Sequence, residues 1–277
     1  MKITEIIKDA FIFPSKNTGI LAMYLILSVL LTVFTFGGII TYQFGFINSD
    51  NYLIGGMYLI IAMLIGFIVY GYNIRVIKSG IERDEEIPHF ELFENFMSGF
   101  ENTVVTLYYF IIPTLIVVVA GISANVWGNA GAIVREFASQ IINVYIIGSS
   151  TGFEFNALYY TITNFVISLA ITLIVALIVF AIFSILKYSS QARLANTGCL
   201  KEGLSIYEAT KDIIRIGLIK TIALFIIFVV IFSIINIIIL YLFQYYPILL
   251  SIAYIILTPY LALAAHRAIG LTYSDIA

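Results

Sequence analysis

Three arginines occupy like places in the chain: Arg75 in YGYNIRVIKSG, Arg193 in YSSQARLANTG and Arg267 in LAAHRAIG. Tyr70 and Tyr188 each precede their arginine by five residues, Gly80 and Gly198 follow by five, and Gly270 follows Arg267 by three. Each arginine closes a long apolar run. A guanidinium there sits where its long stem can reach lipid phosphate. Two readings stay open. One is a ring of cations that contacts anionic lipid headgroups or an anionic solute. The other is ordinary anchoring, with long stems snorkelling from the apolar phase to its surface.

Other residues that could do chemistry are sparse. Glu82, Asp84, Glu85 and Glu86 could offer oxygens to a divalent cation, but they lack the spaced Asp/Asn and glycine of a calcium loop and read as a solvated turn. His89 and His266 are the only histidines, and neither has neighbouring ligands of the kind a zinc site gathers. His266, beside Arg267, reads as a helix-end residue. Cys199 is the single cysteine, so no internal disulfide forms, and it reads as an unmodified thiol beside the membrane, where palmitoylation is the alternative. Nucleotide-binding P-loops, HExxH and G-x-S-x-G are absent. No catalytic, cofactor-binding or metal-binding residue is assigned, and the chain leans away from being an enzyme.

The elements that must position these residues follow from composition. The 277 residues are 61% hydrophobic and 11% charged, with a mean hydropathy of +1.05. A soluble domain carries about 25% charged residues, so this chain requires lipid as its solvent. The net charge of −2 gives no electrostatic footprint for nucleic acid. Six apolar runs, about 18–42, 52–77, 103–123, 157–187, 214–243 and 247–270, are long enough to span a bilayer. The fourth exceeds what a bilayer needs and must tilt or project. Of 14 Lys and Arg, 13 fall in the termini and alternate loops on one side, Arg135 alone on the other. The positive-inside rule then puts both termini in the cytoplasm of a multi-pass cell-membrane protein. Residues 124–156 form the long outer segment, with an amphipathic helix over 132–147 that lies at the interface or re-enters the membrane.

None of the runs carries Asp, Glu, Lys or Arg near its middle. Asn164 and Asn236, with Ser168, Thr172, Ser233 and Ser251, are the polar groups there. They tie helices together or line an intramembrane polar path for a neutral or lipid-like substrate.

The chain also repeats. ITEIIKDAF from Ile3 and IYEATKDII from Ile206 share Ile3/Ile206, Glu5/Glu208, Lys8/Lys211 and Asp9/Asp212 at equal offsets, and the elbow segment FELFENFMSGF places Glu91 and Asn95 at the Glu5 and Asp9 positions. The expected fold is an all-α membrane protein of six transmembrane helices, arranged as three units of amphipathic surface helix plus two-helix hairpin. It is one integral membrane domain over 1–277, with pseudo-repeats at about 1–80, 89–198 and 204–272. The elbow 71–100 joins the first two units. Gly80 should end one helix there, Pro88 should start the next segment, and Phe90, Phe93, Phe96, Met97 and Phe100 should form the lipid-side stripe of a surface helix that precedes the third span.

Gly71-Tyr72 with Arg75, Glu86-Ile87-Pro88 with Phe90, Gly99-Phe100, and the closing Pro259-Tyr260 with Arg267 and Gly270 resemble an archaeal multi-pass membrane family, the domain of unknown function numbered four thousand and thirteen. The resemblance implies membrane location and archaeal origin and brings no catalytic residue. Three functions are expected to compete. The first is a non-enzymatic membrane organiser or partner subunit. The second is a permease or lipid carrier for a neutral or anionic amphiphile, which requires a polar cavity reaching Asn164 and Asn236. The third is a lipid-modifying enzyme, which requires His89, His266 and the acidic patch to converge.

Overall fold

A computed structural model of the chain describes residues 1–142 and 155–277, and all of their regular structure is helical. The order is α1 (Ile3–Ile12), α2 (Thr18–Gln43), α3 (Asp50–Glu82), α4 (Leu92–Ser123), α5 (Val126–Ile141), α6 (Phe155–Thr197), α7 (Leu200–Gly203), α8 (Ile206–Ile216), α9 (Leu218–Phe243) and α10 (Pro247–Tyr273), with short 3₁₀ turns at Phe13–Lys16 and Phe44–Phe46. Six of these, α2, α3, α4, α6, α9 and α10, are long and apolar enough to cross a membrane, consistent with a multi-pass membrane protein.

Local chemistry sets the helix ends. Pro14 falls in the 3₁₀ turn that stops α1. Asn17 then caps α2, its side chain accepting from the amides of Gly19 and Ile20. Ser205 caps α8 in the same way through the Glu208 amide. Gly217, at φ +108°, separates α8 from α9, so the apolar run expected from residue 214 divides there. Gly198, at φ +63°, ends α6 as its type suggests.

Two expectations at the elbow change. Gly80 does not end α3. The helix runs on to Glu82, and Arg83 takes the left-handed conformation at φ 56° while the Asp84 amide donates back to the Ser79 carbonyl. The elbow also holds no separate surface helix. Its Phe-rich segment forms the first turns of α4, continuous with the third span. Nothing there breaks the helix. Gly99 remains helical, and Asn102 turns its side-chain amide to the Tyr70 carbonyl of α3 rather than to its own backbone.

α6 has 43 residues, about 65 Å at 1.5 Å per residue, against a hydrocarbon core of about 30 Å. The expected excess is polar and buried in protein: Ser189, Ser190 and Gln191 near its C-terminus are all buried. The expected outer helix is present but begins earlier, at Val126. Its final residues 143–147 lie outside the described part of the chain, as does the remainder of the outer segment to residue 154.

The chain forms two compact units. One comprises Met1–Leu107 with Ile185–Ala277, the other Tyr108–Ser184. In the smaller unit, Asn129 on α5 donates to the Ser168 hydroxyl of α6 at 3.1 Å, and Phe110 packs on Phe180. In the larger unit α3 is central, flanked by α2 and α10. Its core holds Phe13, Tyr24, Val69, Tyr72, Val76 and Leu263, with a second cluster of Ile6, Ala10, Leu224, Ala268 and Leu271.

Small residues permit the closest crossings. A Cβ on Gly71 would land on the Asn95 carbonyl of α4, and one on Gly99 would land on the Phe67 carbonyl of α3. Phe67 then meets Phe96 and Phe100 edge-on beside this contact. Gly80 is thus used for packing rather than for a helix end. It faces Gly270 of α10, where a Cβ would come within 2.9 Å of the Arg267 carbonyl. Gly99→Val should therefore lower the melting temperature in detergent by an amount reflecting about 1–3 kcal/mol or more of overpacking. Gly56→Ala, in a helix with open space around the new methyl, should be neutral or raise it through about 0.5–1 kcal/mol of helix propensity.

Candidate functional site

All three arginines lie in the larger unit, and each is held by acids or carbonyls from other segments. Arg267 is 1% exposed. Its Nε donates to Asp9 Oδ1 on α1 at 2.9 Å, its Nη1 to Ser79 Oγ on α3 at 2.9 Å and its Nη2 to the Asp84 carbonyl at 2.7 Å. The guanidinium also stacks over Phe13, 4.2 Å from the ring centre. A buried cation needs such a full set of partners, because desolvation otherwise exceeds the Coulombic gain.

Arg193 repeats the arrangement with α8. Its Nη1 meets Asp212 Oδ2 at 2.9 Å, and its Nε and Nη2 meet Glu202 Oε2 at 3.0 and 2.6 Å. Asp212 is almost wholly buried and also accepts from the Tyr273 hydroxyl at 2.8 Å, which ties α10 to the pair. Below it, Ser189 and Ser190 donate to the Ala209 and Gly203 carbonyls.

Arg75 is held by the elbow. Its Nη1 donates to the His89 carbonyl at 2.8 Å, and its Nη2 contacts Glu91 at 3.0 Å and Glu94. This latch is the most open, with Glu94 62% exposed. Bonding to Arg75, reinforced by Glu94, holds the Glu91 carboxyl below the usual carboxylate range. Asn95, at the position matching Asp9 and Asp212, is fully buried, and neither of its amide atoms has a partner among the described residues.

Buried amides lie one turn or less before two of the arginines. Tyr24 donates to Asn73 at 2.8 Å, and Gln191 donates to Asn102 at 2.6 Å. A fourth ionic group fastens the chain end. Asp275 meets Lys220, the Met1 amino group at 3.0 Å and Arg83 at 3.4 Å. Burial pushes its carboxyl up, but the bonds from Lys220 and the Met1 amino group outweigh this and hold it below its ordinary value.

The other sequence candidates are placed as follows. The acidic patch works mainly through its backbone: the Glu85 carbonyl accepts from Lys16 at 3.1 Å, and Asp84 caps the Glu86 amide. His89 is exposed on the elbow, while His266 Nδ1 faces the Ala262 carbonyl of its own helix at 2.6 Å. Cys199 is exposed. Among the described residues no three His, Cys, Asp or Glu stand close enough to share a metal ion. Asn164 is exposed on α6 in the smaller unit, and its carbonyl accepts from Asn129. Asn236 is exposed on α9 in the larger unit and donates to the Phe232 carbonyl one turn back. The description extends to the backbone of Ser251 alone.

The residues that sequence reasoning did not single out are the acids Asp9, Asp212, Glu91, Glu94 and Glu202, with Ser79 and Tyr273. A signal existed for three of them, since Asp9 and Asp212 recur at equal offsets and Glu91 stands at the Glu5 position of the repeat. Nothing in the spacing matched each acid to its arginine.

The described fold is all-helical, with six helices long and apolar enough to cross a membrane, consistent with a multi-pass membrane protein. The chain belongs to the DUF4013 family, proteins of unknown function, whose sequence model matches residues 54–244. Neither the curated proteins nor the solved structures contain a match to the chain.

Two outcomes follow from these contacts. A double-mutant cycle on Arg193 and Asp212, read by thermal denaturation in detergent, should give a coupling above about 1.5 kcal/mol. The same cycle on Arg75 and Glu94 should stay below about 1 kcal/mol, because solvent reaches that pair. Separately, the Asp275 carboxyl is depressed in the folded state, so its contribution is present above the unfolded-state value and is lost as pH falls through the folded one. The protection of amides 274–276, taken relative to the intrinsic exchange rate at each pH, should fall on acidification below the ordinary aspartate range. Asp275→Asn should show that low protection at every pH.

Proposed function

We propose that this protein is a non-enzymatic membrane organiser or partner subunit, built as a rigid ring at one membrane face. One observation carries the reading: the three latches connect the chain cyclically. Arg75 of the first unit binds Glu91 and Glu94 of the second, Arg193 of the second binds Asp212 of the third, and Arg267 of the third returns to Asp9 of the first. This order supports three pseudo-repeats closed into a ring. The arginines then serve the protein's own carboxylates, leaving the exposed edge of the Arg75 latch as the place where an anionic headgroup would compete.

A closed ring opposes the rocking of one half against another on which alternating access depends. It therefore favours the scaffold over the permease. The polar path from Asn164 to Asn236 receives no support from their placement, because each is exposed on its own unit. The latch face is the cytoplasmic one in this reading, since it gathers the basic residues, and neighbouring membrane proteins bind along the apolar flanks.

Cys199 gives a direct test of orientation, being the chain's single cysteine and exposed. A membrane-impermeant maleimide should leave it unlabelled in intact cells and label it in inside-out membranes. In a Cys199→Ser background, Ser49→Cys should show the reverse. For the functional reading, in-cell crosslinking followed by gentle extraction should recover a second membrane protein at fixed stoichiometry, and charge reversal at Arg193 should dissolve that complex. A bare chain after crosslinking, or a complex indifferent to Arg193→Glu, would count against the organiser.

A further inference from the structure

A cleft of about 330 Å³ opens in the larger unit between the end of α6, α8, α9 and α10. One wall is aromatic, formed by Tyr188 of α6 with Phe225, Phe228 and Phe232 of α9, and the opposite wall is the alanine face of α10, Ala265 and Ala268. Four of the hydroxyls at the lining are already engaged: Ser189 bonds the Ala209 carbonyl, Thr221 the Gly217 carbonyl, Thr272 the Ala268 carbonyl, and Tyr273 bonds Asp212. Tyr188 turns its ring to Phe225, and the site offers mainly shape and dispersion contacts.

The cleft has a cause in the side chains. On α3, the positions three and two before Arg75 and one after it are Tyr72, Asn73 and Val76, and Tyr72 and Val76 fill the core with Phe13 and Tyr24. On α10, the same positions around Arg267 are Ala264, Ala265 and Ala268. Matching the two helices in this way rests on the ring described above. The cleft itself does not.

Size and setting choose the occupant. The aromatic wall belongs to α9, a helix long and apolar enough to cross a membrane, so in the multi-pass reading the medium at the mouth is lipid. The cleft's volume falls at the low end of the about 300–1,000 Å³ typical of small-molecule pockets, and a single flexible chain fits a slot between aromatic and alanine faces.

We propose that this cleft binds one hydrocarbon chain of a membrane lipid, gripped between the phenylalanines of α9 and the alanines of α10. The test uses proteoliposomes containing a phosphatidylglycerol with a diazirine midway along one chain, with adducts mapped by mass spectrometry after illumination. Adducts should concentrate on Phe225, Phe228, Phe232 and Ala265. Ala265→Phe, which fills the slot, should lower them about tenfold while leaving adducts at the lipid-facing Ile237 and Leu240 unchanged. Even labelling along α9, or labelling indifferent to Ala265→Phe, would overturn the proposal. Should Ala265→Phe fail to fold, native mass spectrometry of the wild-type protein decides. One lipid retained under activation that strips all others supports the site, and a bare protein overturns it. The adduct mass separates a phospholipid from a free fatty acid. None of these results depends on a protein partner, so failure of the organiser reading and failure of this one are distinguishable.

Discussion

A guanidinium removed from water must find acceptor oxygens to face each of its nitrogens, and this requirement organises the larger unit. Arg267 is the extreme case, 1% exposed and bonded to three segments at once. Meeting it fixes the entry of α1, the turn after α3 and the end of α10 together. In an apolar medium the hydrophobic effect does little to bring helices together. Directional bonds at the helix ends then supply the specificity that a water-driven core supplies elsewhere.

The three latches are not equal, and their differences follow from sequence. Arg193 and Arg267 face an aspartate on a short amphipathic helix that a breaker, Gly217 or Pro14, detaches from the following span. The detached helix can turn its acid inward. At the elbow no breaker intervenes, Asn95 replaces the aspartate, and α4 runs unbroken into its span. Arg75 instead takes the longer Glu91 and Glu94 from the exposed side. The fused elbow allows the glycine crossing of α3 and α4, which a loosely attached helix would not hold in register.

Packing is full at the Arg267 latch and incomplete beside the Arg193 latch. Aromatic side chains close the space around Arg267 and α3, while alanines leave the space around α10 and α9 open to a chain from the bilayer. One architecture thus combines a rigid charged rim with a fillable apolar slot.

Much of this was legible in the residues themselves. Composition required lipid, run length marked the six long apolar helices, although α4 starts about 11 residues before the third run and α6 ends about 10 after the fourth, and equal offsets exposed the recurrence of arginines and of Asp9 with Asp212, because these depend on local chemistry and period. Pro14, Gly198 and Gly217 interrupt helices as their backbone preferences dictate, although the run read from residue 214 had passed straight through Gly217. Tertiary contact decided the rest. Gly80 was free to end a helix or to admit a neighbour, and the approach of α10 selected the second. Asn102 could have capped its own helix, and a carbonyl on α3 drew it away. The arginines were legible as lipid or solute contacts or as membrane anchors, and only the fold, by placing acids distant in sequence beside them, showed which partner each one meets.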